Sequence, residues 1–184
     1  MRIGALYSTQ GRGHEVRCKA LLAEMERRGW EVVEWADDSD AIDVLILDGA
    51  EARTKIHVKR VRVVDEPTAD YFVHLLICGG ADATQFEFGS LSVLVGPQYA
   101  LLRPEFRERA WREPGWGCGE VLDLRDILEL DTHPITELLS EASVVITYGG
   151  MRALEAACVG APMIVLPRNE GERRNARGLA RASS

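Results

Sequence analysis

Short apolar runs alternate with amphipathic stretches along nearly the whole chain, and this rhythm constrains its fold more than any other feature. Runs of that length suit strands buried on both faces, and the amphipathic stretches between them suit crossover helices. Strand and helix taken in turn give βαβ units, hence an α/β fold with a mostly parallel sheet. The expected strands cover residues 3–7, 31–35, 43–47, 57–64, 71–78 and 92–95. A helix is expected from His14 to about Arg28, with Gly29 as its C-cap. Residues 57–64 alternate charged and apolar side chains, which predicts an edge or half-exposed strand.

The rhythm breaks over residues 97–112, and Glu113-Pro114-Gly115-Trp116-Gly117 reads as a loop. That loop is the expected boundary between an N-terminal lobe, residues 1–112, and a C-terminal lobe, residues 113–184. Beyond it, residues 121–130 are apolar but ambiguous in type, and residues 134–142 suggest a short helix with proline in its first turn. Strands follow at 143–147 and 163–166, a turn and helix at 149–159, and a helix at 170–182. The C-terminal lobe therefore holds few strands.

Several classes are disfavoured. A net charge of −7 argues against a protein that coats nucleic acid by bulk charge. Cys18, Cys78, Cys118 and Cys158 form no C-x-x-C pair, so buried, reduced thiols are expected rather than a zinc or redox site. No run approaches the roughly 20 apolar residues of a membrane span, and no basic segment precedes an apolar stretch at the start; a cytoplasmic protein is expected.

Three segments carry chemistry. Gly11-Arg12-Gly13-His14-Glu15-Val16-Arg17-Cys18 joins a strand to a helix. Glycines there permit a sharp turn and close ligand approach, and the helix start suits an anion. His14 stands where an imidazole can act as general base, or simply cap the helix. No third glycine follows, so a dinucleotide fingerprint is absent. Thr147-Tyr148-Gly149-Gly150-Met151-Arg152-Ala153-Leu154-Glu155 is a second such turn. Its backbone N–H groups from Gly149 to Arg152 suit a diphosphate, and Glu155, one turn on, can accept from a ribose diol or face solvent. The third segment runs from Gly160-Ala161-Pro162 through Arg168, Arg173 and Arg174, cations for a phosphate or a solvated helix face, to Asn175, a candidate ligand contact.

Together these segments resemble the UDP-sugar hydrolases of pseudaminic acid biosynthesis (the PseG/SpsG family). Those proteins are relatives of the peptidoglycan N-acetylglucosaminyltransferase MurG in the glycosyltransferase-B superfamily. Gly11 to Cys18, continuing to Leu22-Ala23, matches the opening G-x-G-H-x-x-R-C…L-A. Tyr99-Ala100-Leu101-Leu102-Arg103-Pro104-Glu105-Phe106 matches Y-A-L-L-R-P-E-F. Tyr148 to Glu155 with Gly160-Ala161-Pro162 matches the superfamily's nucleotide site, and Leu45-Ile46-Leu47-Asp48 and Val63-Val64-Asp65-Glu66 agree more weakly. The resemblance implies a compact glycosyltransferase-B-like fold of Rossmann-like lobes, the C-terminal one shortened, with a nucleotide-diphosphate sugar bound between them. It also implies roles. His14 would be the catalytic base, with Gly11, Gly13 and Arg17 shaping the sugar and diphosphate pocket. Tyr148, Gly149, Gly150 and Met151 would hold phosphates, and Glu155 the ribose. Tyr99 and Arg103 would stand near the interlobe crossover. Glu172, three residues before Asn175 where the superfamily often has Gln, would meet sugar hydroxyls differently or face solvent.

The expected activity is transfer of a sugar from a nucleoside diphosphate, UDP by the resemblance, to a hydroxyl acceptor: a sugar, a lipid, a protein or a modified nucleobase in DNA. Hydrolysis by water is the first alternative, and a non-catalytic nucleotide-sugar-binding module the second. No metal or cofactor is expected beyond the nucleotide-sugar donor, and a homodimer is a candidate way to complete the shortened lobe.

Overall fold

The structure, a computed structural model, describes residues 1–8, 12–35, 41–50, 58–64, 73–82, 92–106, 119–125 and 135–182. The chain divides into two compact units, Met1–Leu101 and Leu102–Ser184.

The first unit opens with β1 (Arg2–Tyr7), α1 (Arg12–Arg27), β2 (Glu31–Glu34), β3 (Val44–Asp48) and β4 (Lys59–Val63). β5 (Leu75–Cys78), β6 (Val93–Val95) and a 3₁₀ turn at Pro97–Tyr99 complete it. The strands form a six-stranded sheet in the order β2-β1-β3-β4-β5-β6, and every pairing is parallel. Side-chain alternation explains why strands so apolar form here. Ile3, Ala5, Ile46, Val63 and Ile77 face one core with Cys18, Leu21, Leu22 and Met25 of α1. Leu45 and Leu47 face the opposite side with Trp35 and Ile42. Both faces of the sheet are thus covered, as a parallel sheet requires.

β4 lies inside the sheet between β3 and β5, so it is not an edge strand, and its partly exposed side chains fit the half-exposed alternative. Its charges are tolerated because Val61 and Val63 supply the core side. Arg60 and Arg62, half-buried, lie in register with Leu45 and Leu47 on the other side, where long aliphatic stems cover apolar surface.

The order of the sheet contains one reversal of winding. β2 lies on one side of β1 and β3 on the other, so the winding reverses at the β1/β3 pair. Open parallel sheets bind ligands outside the C-terminal ends of the strands at such a reversal.

The second unit holds a 3₁₀ turn at Pro104–Phe106, β7 (Val121–Asp123), α2 (Ile135–Glu141), β8 (Val144–Thr147), α3 (Met151–Cys158), β9 (Met163–Val165) and α4 (Glu170–Ala182). β7-β8-β9 form a parallel sheet of three strands, the few expected. Its core gathers Ile135, Leu139, Val145, Ala156 and Val159 with Phe106 and Leu124. Because Phe106 is buried in this second core, the division falls before Leu102 rather than after Arg112. The 113–117 loop and Pro134 lie outside the described residues.

Cys18 and Cys78 are buried and Cys158 half-buried, all three as free thiols; Cys118 lies outside the described residues. Among the described residues, no helix is long and apolar enough to cross a membrane.

Candidate functional site

The first unit builds one polar cluster at the winding reversal. β3 ends in Asp48, whose side chain is fully buried. α1 begins right after β1 and brings His14 and Arg17, three residues apart, onto one face of its first turns. His14 Nδ1 lies 2.7 Å from Asp48 Oδ1. Arg17 Nε donates to Asp48 Oδ2 at 2.6 Å, and Arg17 Nη2 donates to Oδ1. This bidentate clamp orients the buried carboxylate and pairs it with a cation.

His14 Nδ1 meets both an acceptor, Asp48 Oδ1, and a donor, Arg17 Nη2 at 3.0 Å, and the ring remains a quarter exposed. Gly49 makes room for the ring. Its φ is +64°, and a Cβ there would stand 2.8 Å from His14 Cε1. The arrangement can take a proton from a hydroxyl at Nε2, while Asp48 stabilises the imidazolium that results.

Asp48 is a candidate site residue that sequence reasoning left without a role. Its signal was an aspartate closing an apolar strand, followed at once by glycine. Cys18 belongs to the same cluster but is chemically quiet, since burial, reinforced by Asp48, pushes its thiol up to about 12.

The other first-unit expectations divide. Gly11 lies outside the described residues. Gly13 falls inside the first turn of α1, exposed, with open space where a Cβ would be. Arg17 is buried and committed to Asp48. Tyr99 is exposed on its 3₁₀ turn.

The second unit builds a different cluster at the end of β8. Gly150 is the N-cap of α3, and no side chain caps that helix start. An uncapped N-terminus leaves donors and the positive end of the helix dipole for an anion. The turn before it is held by α4. Asn175 Nδ2 donates to the Gly149 carbonyl at 2.7 Å. A Cβ on Gly149 would fall 2.3 Å from the Glu172 carbonyl oxygen, so only glycine allows this approach. Gly149, Gly150 and Met151, the residues expected at a phosphate, follow one another into this helix start.

Glu172 neither meets an open surface nor faces solvent. It is buried and caps α4. Asn169 Oδ1 accepts from the Glu172 N–H at 2.9 Å, and Glu172 accepts from the Arg168 N–H and from Arg168 Nη2, each at 2.7 Å. The spacing Asn169-x-x-Glu172 is that of a capping box. Burial opposes ionisation of Glu172, but the Arg168 guanidinium and the N–H groups of Arg168 and Gly149 outweigh it and hold the carboxyl below its usual range. The Arg168 guanidinium also stacks 4.0 Å over the Tyr148 ring.

Glu155, expected at a ribose, is 1% exposed and accepts from Arg103 Nε at 2.7 Å. Arg103 further pairs with Glu105 and covers the Phe106 ring. Arg103 Nη2 and Glu155 Oε2 are buried without a hydrogen-bond partner among the described residues. Glu155 thus reads first as half of a buried ion pair that anchors the 102–106 segment to α3.

No group of three or more His, Cys, Asp or Glu among the described residues is arranged to hold a metal ion.

No family model matches the chain, and no curated protein matches it. The resemblance to the UDP-sugar hydrolases therefore rests on its motifs alone. Among solved structures, the chain is similar to one described as the glycotransferase of kitacinnamycin, with a TM-score of 0.63 at 12% identity. The match covers 99% of this chain and 84% of that one, so the likeness extends through both units. The chain has an α/β fold built on two parallel sheets, similar to the fold of that structure.

Proposed function

We propose that the chain is a glycosyltransferase that moves a sugar from a nucleoside diphosphate to a hydroxyl acceptor. The observation that carries this reading is the His14–Asp48 pair at the winding reversal of the first sheet. A hydroxyl becomes a competent nucleophile toward an anomeric carbon when a base removes its proton as the new bond forms. His14 is that base, and Asp48 holds the ring. As the acceptor oxygen bonds to the anomeric carbon, the bond to the diphosphate breaks and the nucleoside diphosphate leaves with its electron pair.

The leaving group needs an anion-binding element, and the uncapped start of α3 supplies donors for one. The similar solved structure is described as performing glycosyl transfer, which favours transfer over hydrolysis. UDP as the nucleotide is carried only by the motif resemblance.

A thermal-shift screen of nucleotide sugars tests the donor class. A ligand present at about 100 times its Kd stabilises the fold by about 2.7 kcal/mol. At least one nucleoside-diphosphate sugar should give such a shift. No shift with any of UDP-, GDP-, ADP-, CDP- and dTDP-sugars would overturn the reading.

A further inference from the structure

We infer that Arg17 is a positioning residue of the proposed base. It seats Asp48, through Asp48 it leaves Nε2 of His14 open to a hydroxyl, and it does not hold the donor. The inference rests on the proposed function. It differs from the part that the motif resemblance implies for Arg17, a wall of the sugar and diphosphate pocket.

Burial is the first ground for it. The Arg17 side chain is 8% exposed, so little of it is left to meet a ligand. Its Nε donates to Asp48 Oδ2 and its Nη2 to Oδ1. Two donors on two oxygens fix the plane of the carboxylate as well as its place. Helix α1 supplies half of the arrangement, because Arg17 lies one turn after His14 and the two share a face. The sheet supplies the rest: Asp48 ends β3 in register with Tyr7, where the chain leaves β1 for α1.

Three polar atoms then meet at one corner. His14 Nδ1 lies 2.7 Å from Asp48 Oδ1 and 3.0 Å from Arg17 Nη2. A ring nitrogen carries either a hydrogen or a lone pair, so Nδ1 serves one of these neighbours and not both. Arg17 Nη2 lies closer to Oδ1 than to Nδ1. A guanidinium–carboxylate bond is charged on both sides and is the stronger of its two choices. With Nη2 committed to Oδ1, Nδ1 is left to donate to the same oxygen, and the lone pair of the neutral ring stands on Nε2. If Arg17 donated to Nδ1 instead, the proton would stand on Nε2, and that nitrogen would accept none from a hydroxyl.

Two measurements test the inference. The first is nitrogen NMR of the ligand-free protein labelled with 15N-histidine, read with the ring in its neutral form. The His14 signals are those lost in His14→Asn. The parent should show Nδ1 protonated and Nε2 bare. In Arg17→Lys, whose single ammonium cannot reproduce the fork on both oxygens, the two tautomers should mix. The second titrates UDP-, GDP-, ADP- and dTDP-glucose calorimetrically into the parent, Arg17→Lys and Arg17→Gln. Nucleoside-diphosphate release from the conjugate that binds is then followed with oligosaccharides, lipid-linked sugars and hydroxymethylated DNA as acceptors. Donor affinity should be nearly kept while kcat falls roughly 10²-fold, the loss expected of a misplaced base. Thermal melts check that each variant is folded. Arg17→Lys keeps a cation beside Asp48 and serves if Arg17→Gln fails to fold, and the parent spectrum needs no variant of Arg17.

A parent ring with its proton on Nε2 would overturn the inference. Donor affinity weakened about tenfold or more in Arg17→Lys with kcat kept would overturn it equally and make Arg17 a contact of the donor. If the parent binds none of these nucleotide sugars, the donor reading fails by itself, and the ring spectrum still decides whether Arg17 and Asp48 leave Nε2 bare.

Discussion

Asp48 Oδ1 meets two partners at once: the Nδ1 of His14 at 2.7 Å and the guanidinium of Arg17. One buried carboxylate thus both orients the proposed base and balances a buried cation. The two duties predict different losses. Asp48→Asn puts an amide donor among donors. It removes the charge that would stabilise an imidazolium, and turnover should fall roughly 10²–10⁴-fold while nucleotide-sugar affinity is nearly kept. Asp48→Ala takes the carboxylate away from the buried Arg17, and folding stability should fall by about 3–5 kcal/mol in denaturant titration. An Asn variant with full turnover would remove Asp48 from the chemistry.

Gly49→Ala tests the seat of the imidazole. The substitution strains a backbone at φ +64° and drives a methyl group against the His14 ring. It should cost about 1–3 kcal/mol of stability and lower kcat far more than it raises KM. Equal changes in both would mean that the ring is not displaced from its working position.

Much of this arrangement was legible in the sequence, but unevenly. The helix at Glu170–Ala182 and the turn-and-helix after Thr147 follow from local periodicity and glycine punctuation, and both appear as expected. His14 was legible because it directly follows the glycine-bearing turn. Asp48 was not given a role because its partners lie 34 and 31 residues away and meet it only through the parallel pairing of β1 with β3. The burial of Glu155 was hidden for the same reason, since Arg103 is 52 residues distant. Glu172 is a different case: the Asn169-x-x-Glu172 spacing carried a capping signal that the resemblance to a sugar-contacting position obscured. The placement of β4 inside the sheet, despite its charges, depends on strand order, which alternation alone does not encode.

Glu172 also gives a pH signature. Its carboxyl lies below its usual range in the folded protein, burial being outweighed by the Arg168 guanidinium and the N–H groups of Arg168 and Gly149. A group with a depressed folded value stabilises the fold above its unfolded pKa, and that contribution is lost as pH falls through the folded value. The parent should therefore melt above Glu172→Gln at neutral pH, and the gap should close as the medium is acidified below the ordinary glutamate range. A gap that stays constant with pH would show that the Glu172 charge contributes nothing to the fold.

The buried pair on α3 makes a stability prediction. Glu155→Gln leaves Arg103 facing a neutral amide, and unfolding free energy should drop by about 3–5 kcal/mol. Arg103→Met with Glu155→Gln should recover part of that loss, because Arg103 is then no longer a charge facing the amide, while Arg152, 3.9 Å from Glu155 Oε2, keeps its charge. If the double variant loses the full sum of the two single losses, the ion pair is not a coupled unit.

The most direct test of the central claim is nucleoside-diphosphate release by the parent and by His14→Asn, each with and without an acceptor panel of oligosaccharides, lipid-linked sugars and hydroxymethylated DNA. The account predicts slow release without acceptor and much faster release with the right one, the sugar appearing on that acceptor. It predicts that His14→Asn loses roughly 10²–10⁴-fold of the acceptor-dependent rate while still binding the donor. Rapid release that ignores every acceptor, with free sugar as the only product, or an undiminished rate in His14→Asn, would contradict it.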